Sequence, residues 1–155
     1  ASEAIAKYYN EDGGAFCGGT MRENCYAFSM WWLCNFTNIA DASINENVCL
    51  NVDGGKDVVP CLADRKGLST GKDPKPFAVF STTSMGCAST CDHTGVVTAV
   101  HDDGTIDFID ASWQERRAEV TYNVNASAYA DSTTYAYLDG HMDMDKLNQI
   151  IGAGN

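Results

Sequence analysis

Basic residues are scarce in this chain: ten lysines and arginines stand against 21 aspartates and glutamates, a formal net charge of -11. Nucleic-acid binding is thereby disfavoured, because phosphate recognition selects for a basic stripe, and an anionic membrane surface is disfavoured on the same ground. Long apolar runs are missing too. None approaches the roughly 20 residues that cross a bilayer, and a chain starting at Ala1 rather than Met is what removal of a signal peptide leaves. The cysteines contain no C-x2-C spacing, which argues against a zinc ribbon. Asn10, Glu11 and Asp12, and Asp102 with Asp103, are acidic clusters that match no EF-hand loop and read as solvated turns. No metal and no cofactor are expected, and no internal repeat is present. Histidine occurs only three times, at His93, His101 and His141.

What the chain does have is enough apolar material for a core. At 155 residues and 45% hydrophobic composition it fits one compact domain over 1–155, burying roughly two-thirds of the surface its unfolded form exposes. It is expected to be a soluble, secreted, extracellular monomer. Seven cysteines, at positions 17, 25, 34, 49, 61, 87 and 91, point to a disulfide framework in an oxidising compartment. Seven is odd, so complete pairing leaves one thiol over.

Residues 2–9 have the pattern of a short amphipathic helix, followed by loops at Asn10 to Gly14 and Gly18-Gly19. Asn24 is a good N-cap for a second helix over Cys25 to Phe36, apolar on nearly every face as a core-buried helix would be. Ser43 and Glu46 suggest a capping box before Leu50, and Asn51 to Lys75 reads as a long loop. Phe77 to Phe80 is a short buried strand. Thr94 to Val100 and Thr105 to Ile109 flank Asp103-Gly104 as a hairpin, with further strands near 120–124 and 134–138 and a closing helix over 143–151. Helix first and strands after gives an α+β domain, a mainly antiparallel sheet packed on the Cys25 helix.

Cys25 falls in the first turn of that helix. A cysteine attacks carbonyls as its thiolate, and a helix N-terminus or an imidazolium draws its pKa below about 8.5. Backbone N–H groups of the same turn point where an oxyanion would develop. His93 is the best-placed base, opening the first hairpin strand, whereas His101 and His141 read as surface or hydrogen-bonded structural residues. Asp110, ending the second strand, is the candidate to orient the imidazole. A two-residue turn would pair it with Val97, and a longer His101 to Gly104 loop would set it opposite Gly95; a bulge or twist must close the remaining gap to His93. The bland alternative is an ordinary strand-end aspartate. Ser112, two residues on, is a weaker polar candidate, and Trp31 and Trp32 belong in the core, with Trp113 open between core and cleft.

The string FCGGTMRENCYAF (16–28) resembles the nucleophile region of NlpC-type and CHAP cysteine peptidases. PKPFAVF (74–80), DHTGVVTAVHDDGTIDFID (92–110) and the following AS are similar to CHAP domains in order and spacing. The resemblance implies a papain-like fold, with Cys25 as nucleophile, His93 as base, Asp110 as third member and Ser112 where Asn is frequent. It implies a peptidoglycan substrate, cut at the amide between muramic acid and L-Ala or within a stem or cross-bridge peptide. The family usually has Gly before the histidine and Glu at the third position, where this chain has Asp92 and Asp110, and the six additional cysteines are not a family feature. A related thiol acyltransferase, or a non-catalytic disulfide-rich binding or toxin domain with Cys25 in a bridge, are the competing readings. Thiol counting separates the last, because hydrolysis requires Cys25 free.

Overall fold

The structure, a computed structural model, describes residues 1–11, 15–16, 19–20, 24–39, 49, 54–87, 90–112 and 117–153. Helix α1 (Ser2–Glu11) runs two residues past the expected end at Tyr9, and a small antiparallel pair, β1 (Ala15–Phe16) and β2 (Gly19–Thr20), leads to α2 (Cys25–Phe36). The main sheet holds six antiparallel strands in the order β3-β8-β4-β5-β6-β7. They are β3 (Thr70–Gly71), β4 (Val79–Thr82), β5 (His93–Val100), β6 (Thr105–Ala111), β7 (Ala118–Asn125) and β8 (Thr133–Ala136). This is the expected α+β arrangement, a Cys-led helix on an antiparallel sheet stapled by disulfides.

Helix α2 is apolar all round because it is covered all round. Phe28, Met30, Trp31, Trp32, Leu33 and Phe36 are fully buried, so both tryptophans are core residues. They meet Ile5 and Tyr9 of α1, Leu147 of the closing helix, and Val79, Val96, Ile109 and Ala136 of the sheet in one apolar cluster. Successive strand residues alternate faces. Ala78, Phe80, Val97, Phe108 and Tyr135 accordingly form a second cluster on the sheet's other side.

The stretch expected to be a long loop instead contains a 3-10 turn (Gly55–Asp57) and a third helix, α3 (Val58–Lys66). Its Pro60 lies in the first turn, where a missing N–H costs nothing, and Gly67 ends it with a left-handed φ of 68°. Val58, Val59 and Leu62 supply the buried stripe, and Cys61 is bridged to Cys49. Strand β4 also starts two residues later than Phe77, because Phe77 itself takes φ 72° and turns its carbonyl to the Trp32 indole N–H at 3.2 Å. The closing helix, α4, spans Met144–Ala153. The capping box at Ser43 and Glu46, together with Cys17, Asp12 and Trp113, lies outside the described residues.

At the other margin, the Asn10 side chain reaches β7. Its amide nitrogen donates to the Ala118 carbonyl at 3.0 Å and its oxygen accepts the Ala118 N–H at 2.8 Å. Asn10 therefore belongs to α1 and ties it to the sheet rather than standing in a solvated turn.

Candidate active site

The site begins with the cap of α2. Asn24 Oδ1 accepts the Ala27 N–H at 2.9 Å, an N-cap bond that fixes where the helix starts, and Cys25 is its first residue. Cys25 is half-buried and free, while Cys34, Cys49, Cys61, Cys87 and Cys91 are disulfide-bonded. Among the described cysteines the free thiol is thus the one at a helix N-terminus, beside the first-turn backbone N–H groups.

The register of the β5–β6 hairpin decides where the candidate base and acid meet. The turn closes tightly, with His101 N–H donating to Thr105 O at 2.8 Å and Gly104 N–H to His101 O at 2.9 Å. A bulge then shifts the ladder between Val97 and Ala99, after which Val97 faces Phe108 and Val96 faces Ile109. Continued one step, this register sets Asp110 beside Gly95, the arrangement that the longer-loop alternative gives. The bulge shifts the pairing by the one residue that separates a diagonal neighbour from a remote one.

Asp110 and His93 consequently project from the same face. His93 Nε2 lies 2.6 Å from Asp110 Oδ2, and both side chains are largely buried, 13% and 17% exposed. The ring also shares a hydrogen bond with Cys25. Burial alone would pull the His93 pKa down. The hydrogen bonds to Asp110 and Cys25 outweigh it and push it up to about 9, which favours the charged ring.

Two features that the sequence reading did not single out hold this group together. Ser29, one turn after Cys25, and Thr94, next to His93, join their hydroxyls at 2.9 Å, and Thr94 donates on to Phe80 O at 2.7 Å. Both are fully buried, so the helix bearing the sulfur and the strand bearing the ring are pinned one turn from Cys25 and one residue from His93. Two small hydroxyl residues inside otherwise apolar segments were the available signal. Gly86, with φ 86°, backs the ion pair from the other side. A Cβ there would come within 3.3 Å of Asp110 Oδ2, His93 Cδ2 and Phe108 Cζ. Its neighbour Cys87 is bridged to Cys91, two residues before His93.

The remaining candidates separate from this centre. His101 Nε2 pairs with Asp107 Oδ1 at 2.9 Å near the hairpin turn, and His141 Nδ1 with Asn38 Oδ1 at 3.0 Å, both in the structural roles expected of them. Ser112 follows the end of β6, half-buried. A cavity of about 680 Å³ between α1 and β7, lined by residues such as Glu3, Lys7 and Arg117, is bordered by neither Cys25 nor His93. No described helix is long and apolar enough to cross a membrane.

A cysteine at a helix start, an imidazole beside it and a carboxylate behind the ring is a grouping chemically capable of nucleophilic attack on a carbonyl carbon. No family model matches the sequence, and no curated protein matches it. In fold, the chain is similar to the crystal structure of an N-acetylmuramoyl-L-alanine amidase from Staphylococcus aureus, with a TM-score of 0.52 and 14% sequence identity. The likeness covers 79% of this chain but 33% of the amidase chain, so this chain spans about a third of its neighbour's length, and the fold is what the two share.

Proposed function

We propose that the chain is a secreted peptidoglycan hydrolase of the CHAP or NlpC type, papain-like, with one catalytic domain over residues 1–155. It cleaves an amide or peptide bond of the bacterial cell wall as a monomer. The single observation behind this reading is the free Cys25 at the start of α2, hydrogen-bonded to an imidazole that Asp110 holds at 2.6 Å. The fold likeness to a protein named as an N-acetylmuramoyl-L-alanine amidase supports the substrate class. A non-catalytic disulfide-rich module has no use for this group, and in such a module Cys25 would sit in a bridge.

In this mechanism the Cys25 thiolate, stabilised by the imidazolium and the helix terminus, attacks the substrate carbonyl carbon. The first-turn N–H groups of Ala27 and Phe28 are committed to Asn24, and those of Cys25 and Tyr26 are assigned to the developing oxyanion. His93 gives its proton to the leaving nitrogen as the C–N bond breaks, leaving a thioester on Cys25 and a neutral imidazole. That imidazole takes a proton from water, the hydroxide attacks the thioester, and expulsion of the sulfur restores thiolate and imidazolium. Asp110 accepts from Nε2 throughout, which keeps the ring oriented.

Digestion of purified peptidoglycan, with fragments identified by mass, tests the reading. The amidase-type cut frees stem peptides that begin with L-Ala, and a peptide cut leaves that residue attached to muramic acid. Release that persists unchanged in Cys25→Ala would overturn the mechanism.

A further inference from the structure

The residue before the candidate base is Asp92, where CHAP domains usually have glycine, and its side chain is engaged. Asp92 Oδ1 accepts the backbone N–H of Lys56 at 2.6 Å, and Oδ2 lies 3.6 Å from Lys56 Nζ. Lys56 belongs to the 3-10 turn before α3, and the two glycines ahead of it explain the close approach. A Cβ on Gly54 would overlap the Asp92 carboxylate. One on Gly55 would stand 2.5 Å from the His93 carbonyl carbon and 2.7 Å from the Thr94 nitrogen. Gly54 is extended, with φ 178°, so space rather than strain excludes a side chain there.

This turn is itself firmly based. Gly55 O accepts from Ser81 Oγ at 2.6 Å, the same hydroxyl accepts the Val59 N–H at 2.9 Å, and Ser81 pairs with Thr94 in the sheet. Helix α3 continues from the turn into the core through Val58, Val59 and Leu62, with Cys61 bridged to Cys49. The start of β5 is therefore pressed against an anchored surface, and Asp92 is the side chain that holds it there.

We propose that Asp92 is a positioning residue for His93: by seating the Gly54-Gly55 turn on the backbone of the base, it fixes where the ring stands relative to Cys25. The proposal rests on the reading of His93 as base. Asp92 acts through geometry. Its carboxylate is 40% exposed and faces Lys56, so the ion pair itself contributes little, whereas a short charge-assisted bond to a backbone N–H fixes position. After burial, which lowers it, the groups that shift the His93 pKa are Asp110 and Cys25.

The test needs no substrate: the rate at which iodoacetamide alkylates Cys25 is followed across pH, with the labelled peptide located by mass. In Asp92→Ala the rate at pH 7 is expected to fall about tenfold, since displacing a reacting group by a fraction of an ångström has effects of that order. Asp92→Asn keeps the acceptor and should restore most of the rate, and Gly55→Ala, which pushes on the same backbone from the other side, should reproduce the loss. Asp92→Ala with a wild-type rate and pH profile, or Asp92→Asn as slow as Asp92→Ala, would overturn the proposal. With His93→Ala as control, loss there but not in Asp92→Ala removes the positioning role alone, and no loss in either removes the base as well. Intact peptidoglycan beside rapid, His93-dependent alkylation would count only against the cell-wall reading.

Discussion

The β5–β6 hairpin carries a histidine–aspartate pair at each end, and they are alike in bond and unlike in setting. His93 and Asp110 meet at 2.6 Å, and His101 and Asp107 at 2.9 Å. Both imidazoles are pushed toward the charged form, though burial opposes this most strongly at His93, while at His101 the bond to Asp107 leads. The His93 ring is 13% exposed and has a thiol beside it; the His101 ring is 38% exposed, and its aspartate also accepts the Asn123 N–H at 2.9 Å. A carboxylate behind an imidazole does not make a reactive centre. What differs is enclosure and a third group to receive the charge.

Breaking this contrast should be most damaging at the sulfur. Cys25→Ala is expected to lower peptidoglycan release by about 10⁴-fold or more, the scale of losing a nucleophile, and His101→Ala should leave release unchanged; equal loss in both would erase the distinction. Next comes Asp110→Asn, with an expected fall in kcat of about 10²-fold. Because the His93 pKa is pushed up to about 9 chiefly through Asp110, the alkaline limb of the rate profile should move to lower pH in this variant. An alkaline limb that stays in place would show that Asp110 does not set the charge on the ring.

The same pair should be visible in stability. Folding raises the His93 pKa from 6.5 to about 9, so its contribution is complete below pH 6.5 and is lost as pH rises through about 9. The stability deficit of Asp110→Asn, measured by denaturant titration, should therefore shrink over that interval; a deficit constant with pH contradicts the linkage. The smallest effect is expected at the Ser29–Thr94 link. Ser29→Ala should cost about 1 kcal/mol of stability, because Thr94 keeps its bond to Phe80 O. A loss confined to kcat, with unfolding unchanged, would assign that hydroxyl a different role.

Much of this was legible where local signals agree with the tertiary structure. Asn24 and the apolar run after it located α2 because the cap and the buried face point to the same start. His93 and Asp110 stood out because a hairpin has a countable register, although the count left two pairings that only the bulge between Val97 and Ala99 resolves. Bulges leave little trace in sequence, since the inserted residue is chosen by twist rather than by type. Helix α3 is hidden in the sequence because the glycines and lysines of 51–75 read as a loop, while its stability comes from burial of Val58, Val59 and Leu62 and from the Cys49 bridge. Which cysteines pair, and why Asp92 stands before His93, depend on contacts between segments far apart in the chain.

Strand β7 forms one border of the sheet, and exposed strand borders invite another molecule's backbone to add on. Asn10 intervenes there with the chemistry of a peptide group, filling the donor and acceptor of Ala118 at once. A side-chain amide thus does at Ala118 what a further strand's peptide group would do, shortening the stretch of open backbone that a stray partner could zip onto.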